Sequence, residues 1–544
     1  MFKVEWDVET NGILLSNEIA NPINPPRPVF YEELDLLGFN KYWEYPKVEE
    51  PLLWSIGRKY YYKGVQVAEA KGGNIFEAPK IIVTDAGKNL QLMPINIMAM
   101  VDKNKSALNI LENEAIDFIY DTYTKYKDKV DHIVVSYSGG KDSQVILDLV
   151  SRTLPPDEYK VIFTDTTMEI PPTYEAYRQT KKYYQSLYPG LKFYVARNEH
   201  HSYDLWKVFG PPSRIIRWCC SVYKTSPQVR LLRTLTPNKQ NFKILVFDGV
   251  RADESARRSG YKRIAEDVKH FTVINTRIIL NWNDGEVYSY LFSKINNIGF
   301  NINHGYRFGL SRVGCSICPF ASDWSEFIIN KKYKNLSYKY LNIISDYAYN
   351  VGIHEPEKIK EFIYKGNWKK RFGGKGINSN TNIVIEDDNN TKGIIYYKNK
   401  NLFNYQWLKI FESTELKKYN GKVIGKLKIN NSLYKYEVHN NKSSENIILS
   451  FSINHLEKSN LSLFKKLINK LTFCISCGLC IAECPNNAID TSNNKIFINT
   501  KYCKRCYKCF NFNEQGCHLA KSLNLSKGDI VLAPIHQALF MLNL

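Results

Sequence analysis

Residues Val130–Leu149 read VDHIVVSYSGGKDSQVILDL. The apolar run His132–Val135 predicts a strand buried on both faces, of the kind parallel sheets contain. Ser138-Gly139-Gly140-Lys141-Asp142-Ser143 then makes a tight turn, and Asp142 and Ser143 are residues that open helices well. Strand, glycine turn and helix together aim backbone N–H groups and a helix dipole at an anion, and Lys141 adds a point charge. An ordinary strand-to-helix turn needs neither two glycines nor a lysine beside two hydroxyls. The pattern is not G-x4-G-K-[ST], which the chain lacks.

Outward from this turn, apolar segments recur at α/β spacing: Lys160–Thr166, Leu191–Arg197 and Phe242–Val250. TYEAYRQTKKYYQSLY, between the first two, is helical in pattern. The expectation is an α/β fold with a doubly wound parallel sheet, whose ligands bind beyond the carboxyl ends of the strands. Three of those ends carry polar clusters: SGGKDS, TDTTMEIPP and GVRADESARR.

The 544 residues are 44% hydrophobic and 13% aromatic. That is room for about three or four domains of roughly 150 residues and for a sizeable core. No run approaches the ~18 apolar residues of a membrane span. The opening MFKVEWDVE lacks the pattern of a secretory leader. A cytoplasmic protein with no membrane partner, and a homo-oligomer, is expected. The net charge of +20 attracts polyanions such as nucleotides and nucleic acids. No block of five cations appears, so the excess fits scattered surface lysines equally well.

Twelve cysteines fall into three fours, and in a cytosolic chain metal or redox chemistry is the default for them. Cys474, Cys477, Cys480 and Cys484-Pro485 match C-x2-C-x2-C-x3-C-P, the run of bacterial ferredoxins. A second run, Cys503, Cys506, Cys509 and Cys517, departs from it: seven residues precede its last cysteine and no proline follows. Over about sixty residues the segment resembles a two-cluster 4Fe–4S ferredoxin module. In such modules the last cysteine of each run crosses to the other cluster. One set is then Cys474, Cys477, Cys480 and Cys517, and the other Cys503, Cys506, Cys509 and Cys484. A pair of zinc knuckles is the alternative, but zinc sites favour two separated C-x2-C pairs over a triple run. The remaining four, Cys219-Cys220 and Cys315-Ser-Ile-Cys318, suit zinc or iron–sulfur on spacing alone.

Between about Glu112 and Gly374 stand, in order, SGGKDS, FTDT with PPTY, RWCCSVYKTSP, GVRADESARR, NWNDGEVYSYL and SRVGCSICPF. Together they resemble the phosphoadenylyl-sulfate (PAPS) reductase family of PP-loop proteins. The resemblance implies a nucleotide site formed by Ser138, Gly139, Gly140, Lys141, Asp142, Ser143, Asp165, Thr166, Gly249, Arg251, Glu254, Arg257 and Arg312. It also implies a 4Fe–4S cluster held by Cys219, Cys220, Cys315 and Cys318 beside the substrate, three clusters in all. Lys224 would lie near that cluster and the sulfate. Lys224, Arg217 and Arg251 are the candidate catalytic residues, arginine being a fixed fork suited to phosphate and sulfate.

Two departures from that family matter. Its members carry a cysteine near the C-terminus, in a Glu-Cys-Gly-type motif, that attacks the sulfate sulfur. No such motif is present here. Electrons through the fused ferredoxin, taken from a donor such as another ferredoxin, would replace that thiol. The turn SGGKDS is also intact, as in ATP-using PP-loop enzymes, where Asp142 would help place Mg2+ against pyrophosphate. Two functions follow from the resemblance. One is a sulfonucleotide reductase acting on PAPS or adenylyl sulfate. The other is an ATP-dependent sulfur transferase acting on tRNA or DNA, with the positive charge as its docking surface.

The expected organisation is an accessory region at 1–111, partly β, and the PP-loop domain at 112–376. A small β-rich module at 377–460, the ferredoxin-like domain at 461–525 and a tail at 526–544 follow. GNWKKRFGGKG, from Gly366 to Gly376, reads as a loop to the substrate or a plain linker. His200 and His201 are read as a surface pair, and the tail as apolar enough to pack on something.

Overall fold

The computed structural model describes residues 1–18, 21–237, 242–266, 270–294, 302–377, 383–385, 393–399, 404–419, 422–429, 432–440, 446–452, 458–492 and 495–523. The tail at 526–544 lies outside them. Contacts divide the chain into two compact units, 1–197 with 242–340, and 198–241 with 341–544.

The first unit is built on six strands: β1 (His132–Tyr137), β2 (Lys160–Asp165), β3 (Lys192–Arg197), β4 (Ile244–Phe247), β5 (Ile264–Glu266) and β6 (Val273–Thr276). Their order is β3-β2-β1-β4-β6-β5, parallel throughout except for the antiparallel edge strand β5. The α/β parallel sheet expected from the sequence is therefore the fold. β1 sits at its centre, and Ile133, Val134 and Val135 are buried on both faces. The helix α1 (Lys141–Thr153) covers one face with Val145, Ile146, Leu149 and Val150. The helix α2 (Pro171–Leu187) starts at a proline pair, where the missing N–H costs nothing.

Upstream, strands Arg27–Val29, Leu53–Ile56, Lys59–Tyr62, Val65–Lys71 and Lys80–Val83 form one antiparallel sheet. The expected boundary at residue 111 falls inside a single helix, Lys105–Tyr126. Its Leu108, Leu111, Ala115 and Ile119, spaced three to four residues apart, are buried in the same core as the sheet. Burial of that stripe keeps the helix unbroken where a domain border had been expected.

The second unit contains an antiparallel six-stranded sheet between residues 383 and 452, where the β-rich module was expected. It also holds the long helix Lys458–Phe473, the hairpin Ile489–Ser492/Lys495–Ile498 and several short helices around the cysteines. The expected 112–376 domain is thereby divided, because 198–241 and 341–376 go with this unit. Hydrogen bonds give the reason: Ser226 Oγ donates to Gly478 O at 3.1 Å, and Arg233 donates to the carbonyls of Ile481 and Ala482. Arg371, from the GNWKKRFGGKG stretch, is buried and donates to Pro211 O at 2.5 Å, Ser522 O at 2.9 Å and Gly373 O at 2.9 Å. That stretch is a structural tie within its unit. Among the described residues no helix is long and apolar enough to cross a membrane.

Candidate functional site

The turn after β1 needs its first glycine. Gly139 has φ +75°, and a Cβ there would come 2.9 Å from Thr173 Cγ2 and 3.1 Å from the Thr173 carbonyl oxygen. Left-handed backbone with a Cβ costs about 1–2 kcal/mol per residue before any clash. Gly139→Ala is therefore expected to lower the melting temperature and to abolish nucleotide binding, read by scanning calorimetry and by titration with ATP and adenylyl sulfate. Ser143 Oγ accepts from Ser138 N at 3.2 Å and donates to Gly140 O at 2.8 Å, which closes the turn. Tyr306 OH accepts from Lys141 N at 3.1 Å. Gly249 brings the loop after β4 against the start of α1, since a Cβ would lie 3.1 Å from the Asp142 backbone.

Beneath this turn lies a five-membered charge network. Lys141 Nζ is 3.0 Å from Asp142 Oδ2 and 3.2 Å from Asp284 Oδ1. Arg251, with 3% of its side chain exposed, reaches three carboxylates: Asp142 at 2.7 Å, Asp253 at 2.8 Å and Asp284 at 2.6 Å. Burial works against both cations, but the carboxylates outweigh it and hold the Lys141 ammonium and the Arg251 guanidinium firmly charged. Burial pushes the Asp253 carboxyl up. Burial would do the same to Asp284, but Lys141 and Arg251 pull it below the ordinary aspartate range.

A folded value below the unfolded one means a stabilising contribution that is present above about pH 4 and lost as pH falls through the folded value. Asp284→Asn is therefore expected to flatten the acid limb of the stability curve below about pH 4. Circular dichroism against pH checks this, and an unchanged limb would assign acid lability elsewhere.

Not every expected residue faces this network. Asp165 is 1% exposed and accepts from Thr167 N at 2.7 Å, Tyr174 OH at 2.9 Å and Arg197 Nε at 2.8 Å. Thr166 Oγ1 donates to Glu169 Oε1 at 2.8 Å and lies 3.5 Å from Cys315 Sγ. Both side chains thus shape the turn after β2. Glu254 gathers Arg258 and Arg312, the latter at 3.6 Å, while Arg257 is exposed. Asp142, expected to help place Mg2+, has Oδ2 3.0 Å from Lys141 Nζ and Oδ1 2.7 Å from Arg251 Nε. Asp253, Asp284 and Tyr306 complete the network and were not singled out in the sequence. Asp284 carried a legible signal of another kind: Asn283 and Glu286 make a capping box around it.

In the second unit, Cys219 and Cys220 open a continuous helical run, Trp218–Cys220, Ser221–Thr225 and Ser226–Thr234, whose middle turn is π-helical. Pro227 explains the wide turn, because it lacks an N–H and its ring would strike the carbonyl of residue 223. Lys224 is exposed on that turn, and Arg217 Nη2 lies 3.7 Å from Cys220 Sγ. A hydrogen bond from Cys219 chiefly, with Lys224 and Arg217 adding charge, lowers the Cys220 thiol to about 5. Cys315 and Cys318 belong to the first unit, where Cys315 pairs with Glu169 in a β-bridge.

Eight cysteines form two separate fours. Cys474, Cys477, Cys480 and Cys517 line one cavity, with Lys470, Trp407 and His518. Cys484, Cys503, Cys506 and Cys509 line another, with Lys504, Arg505 and Tyr507. Four thiols around each cavity fit an iron–sulfur cluster. Burial and their mutual charge push the Cys477, Cys509 and Cys517 thiols up, and Cys480 to about 11, while the Lys470 ammonium opposes the rise at Cys480, Cys509 and Cys517. Lys470, 1% exposed, places Nζ 2.8 Å from Cys480 Sγ and 4.1 Å from the Trp407 ring centre. Asn198 ties the parts together: its Nδ2 donates to Cys477 O at 2.9 Å and to Val222 O at 3.1 Å. Neither Lys470 nor Asn198 stood out in the sequence.

Residues 132–321 match the phosphoadenosine phosphosulfate reductase domain, and residues 466–512 the 4Fe-4S dicluster domain. An uncharacterized protein of Methanocaldococcus jannaschii is 30% identical over 274 residues, 50% of this chain and 52% of that protein. The chain thus spans about half the length of this relative. The adenosine 5'-phosphosulfate reductase of Geobacillus kaustophilus is 26% identical over 209 residues, 38% of this chain and 78% of that one. The relative from Anoxybacillus flavithermus with the same description is 26% identical over 224 residues, 40% of this chain and 81% of that one. The chain therefore joins a phosphoadenosine phosphosulfate reductase domain, at residues 132–321, to a 4Fe-4S dicluster domain at residues 466–512.

Proposed function

We propose that this chain reduces a sulfonucleotide, adenylyl sulfate or PAPS, to sulfite and the corresponding nucleotide. Two electrons break the bond between the sulfate sulfur and the bridging oxygen. That oxygen stays with the phosphate, and the sulfur leaves as sulfite. The nucleotide's phosphates would sit at the N–H groups of the Ser138–Ser143 turn and the start of α1. Arg251 and Lys141 would exchange part of their carboxylate pairing for phosphate or sulfate oxygens, with Arg257 and Arg312 at the rim. Lys224 and Arg217 would neutralise the sulfate and hold the leaving sulfite.

Iron–sulfur clusters supply one-electron transfer when bound. Cys474, Cys477, Cys480 and Cys517 would hold one, Cys484, Cys503, Cys506 and Cys509 a second, and Cys219, Cys220, Cys315 and Cys318 a third. The observation that carries the reading is the Asn198 amide. It links the Cys477 carbonyl to Val222, two residues beyond the Cys219-Cys220 pair, and so joins the dicluster loop to the turn bearing Lys224.

One observation favours a second reading, an ATP-dependent sulfur transferase acting on tRNA or DNA: the complete SGGKDS turn with both hydroxyls and Lys141 in place. Anaerobically purified protein, reduced and given adenylyl sulfate or PAPS without ATP, is expected to release sulfite. Pyrophosphate release from ATP without sulfite would favour the transferase and remove the reductase.

A further inference from the structure

The two four-thiol cavities differ in their surroundings. The first is closed over by Lys470, Trp407 and the helix Lys458–Phe473. The second reaches the surface at Cys506, the one exposed cysteine among the described residues. Around Cys506, Lys501, Lys504, Arg505 and Lys508 are exposed, and Lys495 is exposed on the neighbouring hairpin. From Lys495 to Asn511 there are five cations and no carboxylate. Two aromatic rings stand in the same stretch, Tyr502 at 54% and Phe497 at 49% exposure, and Lys409 Nζ lies 5.5 Å from the Phe497 ring centre. Apolar rings within a ring of one charge are the anatomy of a docking surface.

We propose that this rim is the electron-entry port, and that its partner is a small acidic protein carrying one electron at a time. The inference rests on the proposed cluster at Cys484, Cys503, Cys506 and Cys509. Charge complementarity selects the partner, because a basic rim speeds encounter with an acidic protein and repels a basic one. Nucleic acid shares the negative charge, but the cysteine at the centre of the rim serves electron transfer and has no use in holding a phosphate backbone.

The test uses the full chain with its clusters, mixed in a stopped-flow spectrometer with a reduced acidic ferredoxin as probe, while cluster bleaching is followed directly. The bimolecular rate is expected to fall at least roughly tenfold from about 20 to 300 mM salt. It is expected to fall by a similar factor at low salt in the Lys495→Glu/Lys501→Glu variant, whose two lysines are exposed on the rim and do not line the cavity. Photoreduction by deazaflavin, which is neutral, is expected to be equal in both proteins. A carrier rate insensitive to salt and to charge reversal overturns the proposal, as does a variant that loses only tRNA binding. Clusters that deazaflavin cannot reduce in the unaltered protein overturn both the port and the function reading. Sulfite formation is not part of the readout, so a port that behaves as expected in a protein that makes no sulfite would remove the reductase reading alone.

Discussion

Arg251→Met is expected to abolish nucleotide binding and to destabilise the first unit by about 3 kcal/mol or more. The guanidinium is buried and shared among Asp142, Asp253 and Asp284. Methionine fills much of its volume but leaves three carboxylates facing Lys141 alone. The penalty comes from three part-exposed carboxylates left without their shared counter-charge, not from lost packing, so Arg251→Lys should recover part of the stability. Binding should suffer more than stability, because a polyanion would approach a site with a net charge of two minus rather than one minus. Denaturant unfolding and titration with ATP and adenylyl sulfate check the two effects separately. Unaltered affinity in a folded Arg251→Met protein would show that the nucleotide binds elsewhere.

Lys470→Met is expected to lower the midpoint potential of one cluster, that lined by Cys474, Cys477, Cys480 and Cys517, by on the order of 100 mV. Lys470 Nζ lies 2.8 Å from Cys480 Sγ, and a unit charge that close to a liganding thiolate is worth on the order of 3 kcal/mol at an effective dielectric near 20. For a one-electron couple each 59 mV is about 1.4 kcal/mol. Reduction adds negative charge, which the ammonium stabilises, so its removal favours the oxidised form and the potential falls. The other cluster, whose Cys509 also feels the Lys470 charge, should shift in the same direction by less. Lys470→Arg should restore most of the shift. An EPR-monitored redox titration reads both clusters at once. Two unmoved potentials would mean that the ammonium does not act on the cluster.

The parts of this protein that could be read in advance are those where local sequence and physics coincide. The SGGKDS turn is one: a strand buried on both faces, a glycine with φ +75° and a helix start follow within a dozen residues. The grouping of thiols is another. Cys517 lines the cavity of Cys474, Cys477 and Cys480 although its spacing departs from the ferredoxin run, because the short helix starting at His518 brings it back onto Lys458–Phe473.

What stayed hidden are partnerships between distant segments. Asp253 stands inside a stretch whose arginines drew notice, and Asp284 reads as the first residue of a capped helix. Only folding brings them to Arg251 and Lys141. Lys470 looks like any lysine on an amphipathic helix until Trp407 and Cys480 close over it. The allegiance of 198–241 was hidden for the same reason: side chains such as Asn198, Ser226 and Arg233 are tied to carbonyls about 250 or more residues away in the chain.

The most direct measurement is a single turnover. Anaerobic protein is reduced, freed of excess reductant, and mixed with adenylyl sulfate in the absence of thiols and ATP. The expected result is one sulfite for every two electrons lost from the clusters, with no protein-bound sulfo group at any stage. A covalent sulfo adduct on a cysteine, or clusters that stay reduced while sulfite appears, would contradict the account.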